Sequence, residues 1–74
     1  MEIEVGTDYP TRRQKAGPYI IVALRVKSYE PDRAYGQVIA WPIHADGRQG
    51  NQITYADFVF AQRVDLSKGT KHAP

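Results

Sequence analysis

The chain has 74 residues, one tryptophan, no cysteine and a formal net charge of +2. A chain of this length forms one domain that buries only about 60% of its extended surface, and without cysteine it has neither a disulfide nor a Cys-based metal site to stabilise it. The small net charge does not by itself indicate nucleic-acid binding. The sequence shows no secretory signal and no run of roughly 18 apolar residues. We therefore expect a cytoplasmic domain without membrane contacts.

The first segment, MEIEVG, alternates apolar and acidic side chains, and this pattern predicts a short edge strand near residues 2–5. Residues 7–18 contain two prolines, one glycine and few apolar side chains, which predicts a loop. Loops of small β-domains often carry binding residues. The basic residues of this loop, which we predict to contact phosphate, are Arg12, Arg13 and Lys15.

Residues 19–29, YIIVALRVKSY, give the strongest strand pattern in the chain. The predicted core face consists of Ile20, Val22, Leu24 and Val26. The opposite face is mixed and consists of Tyr19, Ile21, Ala23, Arg25, Lys27 and Tyr29. Aromatic and basic side chains together suit stacking on bases and contacts to phosphate. The alternative is a half-solvated strand on which the Arg and Lys stems cover apolar neighbours.

Residues 35–43 predict the next strand, after a turn at Glu30-Pro31-Asp32-Arg33. One of its faces consists of Tyr35, Gln37, Ile39, Trp41 and Ile43. If Tyr29 lies opposite Tyr35, an aromatic patch forms beside the basic residues of the preceding strand. The pairs Asp46-Gly47 and Gly50-Asn51 then predict a hairpin connection into a return strand over residues 51–56.

Residues 56–66 are ambiguous between a helix and a strand because the apolar run is short. Their aromatic and β-branched content favours a tight or 3₁₀ turn near Asp57–Phe58 followed by a strand over residues 60–66. Five strands and no confident helix predict an all-β fold, a small five-stranded SH3-like (or OB-like) barrel with an antiparallel meander. The predicted single domain spans residues 1–66, and residues 67–74 predict a disordered basic tail.

The sequence contains no catalytic motif. Neither serine lies in a nucleophile context, and there is no glycine-rich phosphate loop. His44 stands two residues from Asp46, but such a pair at a hairpin mouth is more typical of a turn than of an acid–base or metal site. We therefore predict no catalytic residue, no metal and no cofactor.

The segment Ile53-Thr54-Tyr55-Ala56-Asp57-Phe58, with Val64 beyond it, resembles the strand and turn of Tudor domains. In that family an aromatic–x–Asp–aromatic pattern leads into Gly-Asn, whereas Val59-Phe60 stand at those positions here. The resemblance implies an SH3-like barrel that binds a partner.

The segment Gly36-Gln37-Val38-Ile39-Ala40-Trp41 is similar to a strand of the plasmid-borne type II dihydrofolate reductases, which are also SH3-like barrels. Gln52-Ile53, followed by Tyr55 after the intervening Thr54, is similar to their active-site strand. This second resemblance implies a homotetramer with a shared pore and NADPH as cofactor.

Three function hypotheses stay open at the level of sequence. The first is a non-enzymatic barrel that binds nucleic acid, the second a protein-interaction module such as an adaptor or a phage or mobile-element inhibitor, and the third the reductase-like homo-oligomer. The predicted binding residues are Arg25, Lys27, Tyr29, Tyr35, Gln37, Trp41, Tyr55 and Phe58.

Overall fold

The computed structural model describes residues 2–12 and 20–71, which form one five-stranded antiparallel sheet and one short α-helix. In chain order the elements are β1 (Thr7–Pro10), β2 (Ile21–Glu30), β3 (Gln37–His44), β4 (Ile53–Ala56), α1 (Asp57–Arg63), a 3₁₀ turn (Leu66–Lys68) and β5 (Thr70–Lys71). The order across the sheet is β4-β3-β2-β1-β5, so the predicted all-β antiparallel meander is confirmed. Within the described ranges no helix is long and apolar enough to cross a bilayer.

The first strand lies later in the chain than the alternating pattern predicted. Residues 2–5 form no strand, and β1 lies inside the segment predicted to be a loop. In β1, Asp8 pairs with Arg25 and Tyr9 with Leu24, and the Tyr9 ring is buried. An ion pair on one face and a buried aromatic ring on the other therefore outweigh the low strand propensity of Asp and Pro.

The alternation of β2 is interrupted twice. Its register with β3 shifts near the start of β2 and again at Lys27, and each shift adds one β2 residue as a β-bulge. A bulge of one residue turns the side chains that follow to the other face of the sheet. Tyr29 consequently lies opposite the fully buried Val38 and packs against the core. The prediction that Tyr29 shares a face with Arg25 is wrong, and the condition for the aromatic patch, Tyr29 opposite Tyr35, is not met.

Residues 57–63 form the helix α1, so the prediction of a final strand over residues 60–66 is wrong. The helical period brings Phe60 and Val64 to the same side, and both are fully buried. The Phe60 ring meets the edges of Tyr9 and Tyr55, with ring centroids 5.9 Å apart in each pair. Burial of these two side chains against the sheet thus decides the local conformation against β propensity.

The core lies between one face of the sheet and α1. Of the four residues predicted to form the core face of the second strand, Leu24 and Val26 are buried in the core, whereas Ile20 and Val22 are only partly buried. The buried cluster consists of Ile3, Tyr9, Leu24, Val26, Val38, Ala40, Phe60 and Val64.

The C-terminal segment differs from the disordered tail that its composition predicted. Up to Lys71 it forms the 3₁₀ turn and β5, which pairs with β1. Asp65 begins the turn by accepting hydrogen bonds from the Ser67 N–H and Oγ–H, at 3.0 and 2.6 Å. Residues 72–74 of the predicted tail, together with the predicted positions Arg13, Lys15 and Tyr19, lie outside the described residues.

We expect acid pH to destabilise this turn through Asp65. The hydrogen bonds from Ser67 hold the pKa of the Asp65 carboxyl below its ordinary value. A carboxyl whose pKa is lower in the folded state stabilises the fold above its unfolded pKa of about 3.9 and loses that contribution as the pH falls through the folded value. Thermal midpoints measured from about pH 6 down to about pH 2 should therefore fall more steeply for the wild type than for Asp65→Asn. If the thermal midpoints of the wild type and of Asp65→Asn fall equally with pH, the ionised Asp65 carboxylate does not stabilise the turn.

Candidate functional site

The sheet face opposite the core carries a row of three side chains on three neighbouring strands. Asp8 of β1 pairs with Arg25 of β2, and Arg25 pairs with Trp41 of β3. Trp41 lies between the buried residues Ala40 and Pro42, so alternation directs the partly exposed indole away from the core. We call this surface the Trp41 face and define it by Asp8, Arg25, Lys27, Trp41, Gln49 and Gln52.

Arg25 is held in place by its neighbours on this face. Its Nε and Nη2 donate to the two carboxylate oxygens of Asp8, at 2.7 and 3.0 Å, and its Nη1 donates to Gln49 Oε1 at 3.1 Å. The hydrogen bond to Asp8 raises the pKa of Arg25, against an opposing effect of desolvation. The charge of Arg25 is therefore compensated, and the cation that the Trp41 face offers in excess is Lys27.

Lys27 lies at the second bulge of β2, beside Trp41. Its Nζ is 5.7 Å from the centroid of the indole ring, within the range of a cation–π interaction, and donates to Gln52 Oε1 at 2.8 Å. The β3–β4 hairpin thus contributes amide side chains that hold both cations of the face, Gln49 on Arg25 and Gln52 on Lys27. The result is an aromatic surface bordered by a cation and by amides that both donate and accept hydrogen bonds.

Two of the predicted binding residues, Tyr29 and Tyr55, lie on the core side of the sheet instead. The Tyr29 hydroxyl donates to Asp57 Oδ2 at 3.2 Å, and Tyr55 packs against Phe60. Desolvation raises the pKa of both tyrosines above the ordinary value, and for Tyr29 the bond to Asp57 adds to this effect. The structure thus separates both of them from the Trp41 face.

Tyr35 and Phe58 lie together at another place, where the β2–β3 turn meets the start of α1. The Tyr35 carbonyl accepts a hydrogen bond of 2.9 Å from the Asp57 N–H, one residue before Phe58. Their side chains are 77% and 50% exposed, and Tyr35 has a positive φ of 67°. Gln37 is on the same side of β3 as Trp41 but is the first residue of the strand, four residues before Trp41.

Arg12, predicted to contact phosphate, lies beside the C-terminal end of α1. Its Nε donates to the Val64 carbonyl at 2.8 Å, and its backbone N–H donates to the Arg63 carbonyl at 3.0 Å. These bonds bring Arg12 next to Arg63, an exposed basic residue that the sequence did not single out. Arg12 and Lys68 both act on the Asp65 carboxyl and help to lower its pKa.

Two members of the Trp41 face, Asp8 and Gln49, were not predicted from the sequence, because they lie in segments that composition assigned to loops and turns. Gln52 was named only through the resemblance of Gln52-Ile53 to the reductase active-site strand. Each is brought to the face by long-range strand pairing or by the hairpin. A bidentate Arg–Asp pair across two strands has no local signature that could have revealed it.

Comparison of the chain with protein-family models, with curated proteins and with solved structures finds no match. In the part of the chain that the structure describes, no group of three or more His, Asp or Glu side chains could hold a metal ion. The chemistry of the Trp41 face is therefore the basis for a functional proposal.

Proposed function

We propose that this domain is a non-enzymatic binding module that takes single-stranded nucleic acid on the Trp41 face. The observation that carries the proposal is the placement of Lys27 over the Trp41 ring beside Gln52. Proteins that bind single strands combine aromatic side chains, on which bases stack, with cations that contact the backbone.

Binding on this face requires Lys27 to move. A base that stacks on Trp41 takes the position now occupied by the Lys27 ammonium, which is then able to reach an adjacent phosphate on its flexible stem. Gln49 and Gln52 would offer amide groups to the edge of the same base. Because every base has a π-face, we expect a modest sequence preference.

Single strands fit this face better than a duplex does. In a duplex the faces of the bases are covered by their stacked neighbours, so the indole of Trp41 needs a base that is already unstacked. Outside the Trp41 face, Arg12 and Arg63 supply a second basic spot for phosphates at the C-terminal end of α1, and in the sequence Arg12 is followed by Arg13 and Lys15. We include an SH3-like barrel in the proposal. The strand order is compatible with it, because β5 follows a helix in the chain and pairs with β1.

Replacing Lys27 with glutamine should reduce the salt dependence of oligonucleotide binding. A contact with one phosphate of a single strand contributes about 0.7 to the slope of log K against log salt, so the slope should become shallower by about that amount. The measurement is a titration of a fluorescently labelled oligonucleotide at several salt concentrations.

Arg33→Gln is the matched control, because it removes the same charge from an exposed residue of the β2–β3 turn that pairs with Glu30. Its salt slope should stay close to that of the wild type. If Arg33→Gln and Lys27→Gln change the slope equally, the effect is one of net charge, and the assignment of Lys27 fails.

A protein-interaction module is a second candidate, supported by Tyr35 and Phe58. A tyrosine with a positive φ is strained, and strain at an exposed aromatic residue is a reason to suspect function. Binding through this site would be tolerant of salt and indifferent to substitutions on the Trp41 face, which distinguishes it from the first candidate.

A further inference from the structure

A cleft separate from the Trp41 face opens between the N-terminal segment, β1 and β5. Its volume is about 460 Å³, within the range of small-molecule sites in proteins. Its walls include Glu2, Glu4, Thr7, Tyr9, Leu66 and Lys71. The inward-facing residues of β1 line it, whereas Arg25 and Trp41 are on the other side of the sheet, so the two surfaces can be tested independently.

Thr7 is the unusual residue of this cleft. It is only 3% exposed, and its Oγ1 has no hydrogen-bond partner among the described residues. On the adjoining wall Gly69 packs so closely that a Cβ there would be 2.8 Å from Thr7 Cγ2 and 2.5 Å from Tyr9 Cε1. A buried hydroxyl without a partner is unfavourable. Because Oγ1 has almost no accessible surface, it can bond to a molecule in the cleft only after the Thr7 side chain rotates.

The charge of the cleft favours a cation. Glu2 and Glu4 contribute two carboxylates, and Lys71 compensates one of them, with its Nζ 3.8 Å from Glu4 Oε2. Glu2 has no ion-pair partner within residues 2–12 and 20–71. The Tyr9 ring and Leu66 add apolar surface. One carboxylate is therefore in excess beside an apolar wall.

We infer that this cleft binds a small organic amine. The ammonium group would pair with Glu2, the apolar body would lie against Tyr9 and Leu66, and a polar group of the ligand would bond to the Thr7 hydroxyl. At about 30 Å³ per water molecule in the liquid, a cleft of 460 Å³ is too large for a single metal ion and suits a molecule of several heavy atoms.

Tyramine is a suitable probe, and 4-ethylphenol is its matched control without the ammonium group. In a ¹H–¹⁵N NMR titration of the full chain we expect saturable shifts at Thr7, Gly69 and Lys71, with a dissociation constant on the order of 1 mM or below. The uncharged control should bind roughly tenfold to a hundredfold more weakly, as expected when a charge-assisted bond is lost. Nα-acetyl-lysine amide distinguishes the source of the amine: tighter binding than tyramine indicates a lysine side chain, and weaker binding a free amine.

Two variants test the assigned residues. Glu2→Gln should weaken tyramine binding roughly tenfold, whereas Asp32→Asn, which removes the same charge from the exposed β2–β3 turn, should leave it unchanged. Thr7→Val should weaken binding by about threefold to tenfold and at the same time raise the denaturation midpoint, because it removes the unpaired hydroxyl. The inference is overturned if tyramine causes no saturable shifts at these residues up to about 10 mM, or if 4-ethylphenol binds as well as tyramine.

Discussion

Replacing Phe60 with alanine is expected to lower the free energy of unfolding by about 3–5 kcal/mol. The Phe60 side chain is fully buried, and its ring contacts Tyr9 of β1 and Tyr55 of β4. At ~0.05–0.15 kcal/mol per residue, a chain of 74 residues has a total stability of about 4–11 kcal/mol. The variant should thus be largely unfolded at the lower end of that range and strongly destabilised at the upper end.

Urea denaturation followed by circular dichroism measures this effect, and Phe58→Ala on the same helix is the control. Phe58 is 50% exposed, so its truncation should cost less than about 1 kcal/mol. The comparison also distinguishes the helix from a strand, because a strand would place Phe58 and Phe60 on the same face. Equal losses in the two variants would contradict the helical assignment of α1.

Replacing Gly36 with alanine should cost about 2–4 kcal/mol. Gly36 has a φ of +59°, and a Cβ at this position would be 2.2 Å from Asp57 Oδ2 and 2.7 Å from its Cγ. Alanine in the left-handed region costs about 1–2 kcal/mol by itself. The clash adds to this, because Asp57 is held by the Tyr29 hydroxyl and by the Tyr35 carbonyl and cannot withdraw without breaking those bonds.

Gly47→Ala isolates the conformational part of that cost. Gly47 has a φ of +91°, but a Cβ there would have no heavy atom within 4 Å. Its substitution should cost only about 1–2 kcal/mol. The difference between the two variants in chemical denaturation then reports the packing of Gly36 on Asp57. If the two alanine variants lose the same stability, that packing is absent in solution.

The parts of the fold that short-range patterns determine could be predicted from the sequence. The long strand around Leu24 and the hairpin at Asp46-Gly47 follow from alternation and from turn chemistry, and both are present. The helix α1 could not be assigned from the sequence, because a run of seven residues with aromatic side chains fits both the helical period and strand alternation. The helix is favoured only when the sheet is present to bury Phe60. β1 was missed for a related reason: its strand character depends on partners that lie more than ten residues away.

The site was predicted in part for the same physical reasons. Arg25 and Lys27 lie on one surface, as the alternation of their strand predicted, and the pairing of Arg25 with Trp41 adds the indole to this surface. Tyr29 lies on the other side of the sheet, because the bulge at Lys27 reverses the faces of the residues that follow it. The alternation of apolar and polar residues in the sequence does not reveal a bulge. Sequence composition also counts Arg25 as a free charge, whereas the structure pairs it with Asp8.

The measurement that tests the central proposal most directly is the fluorescence of Trp41, the only tryptophan in the chain, during titration with unlabelled single-stranded DNA. Stacking of a base on the indole predicts a saturable quench. Contact of Lys27 with one phosphate predicts an affinity that falls about two- to threefold between about 50 and 200 mM salt. A fluorescence signal that stays constant at both salt concentrations would contradict binding on the Trp41 face.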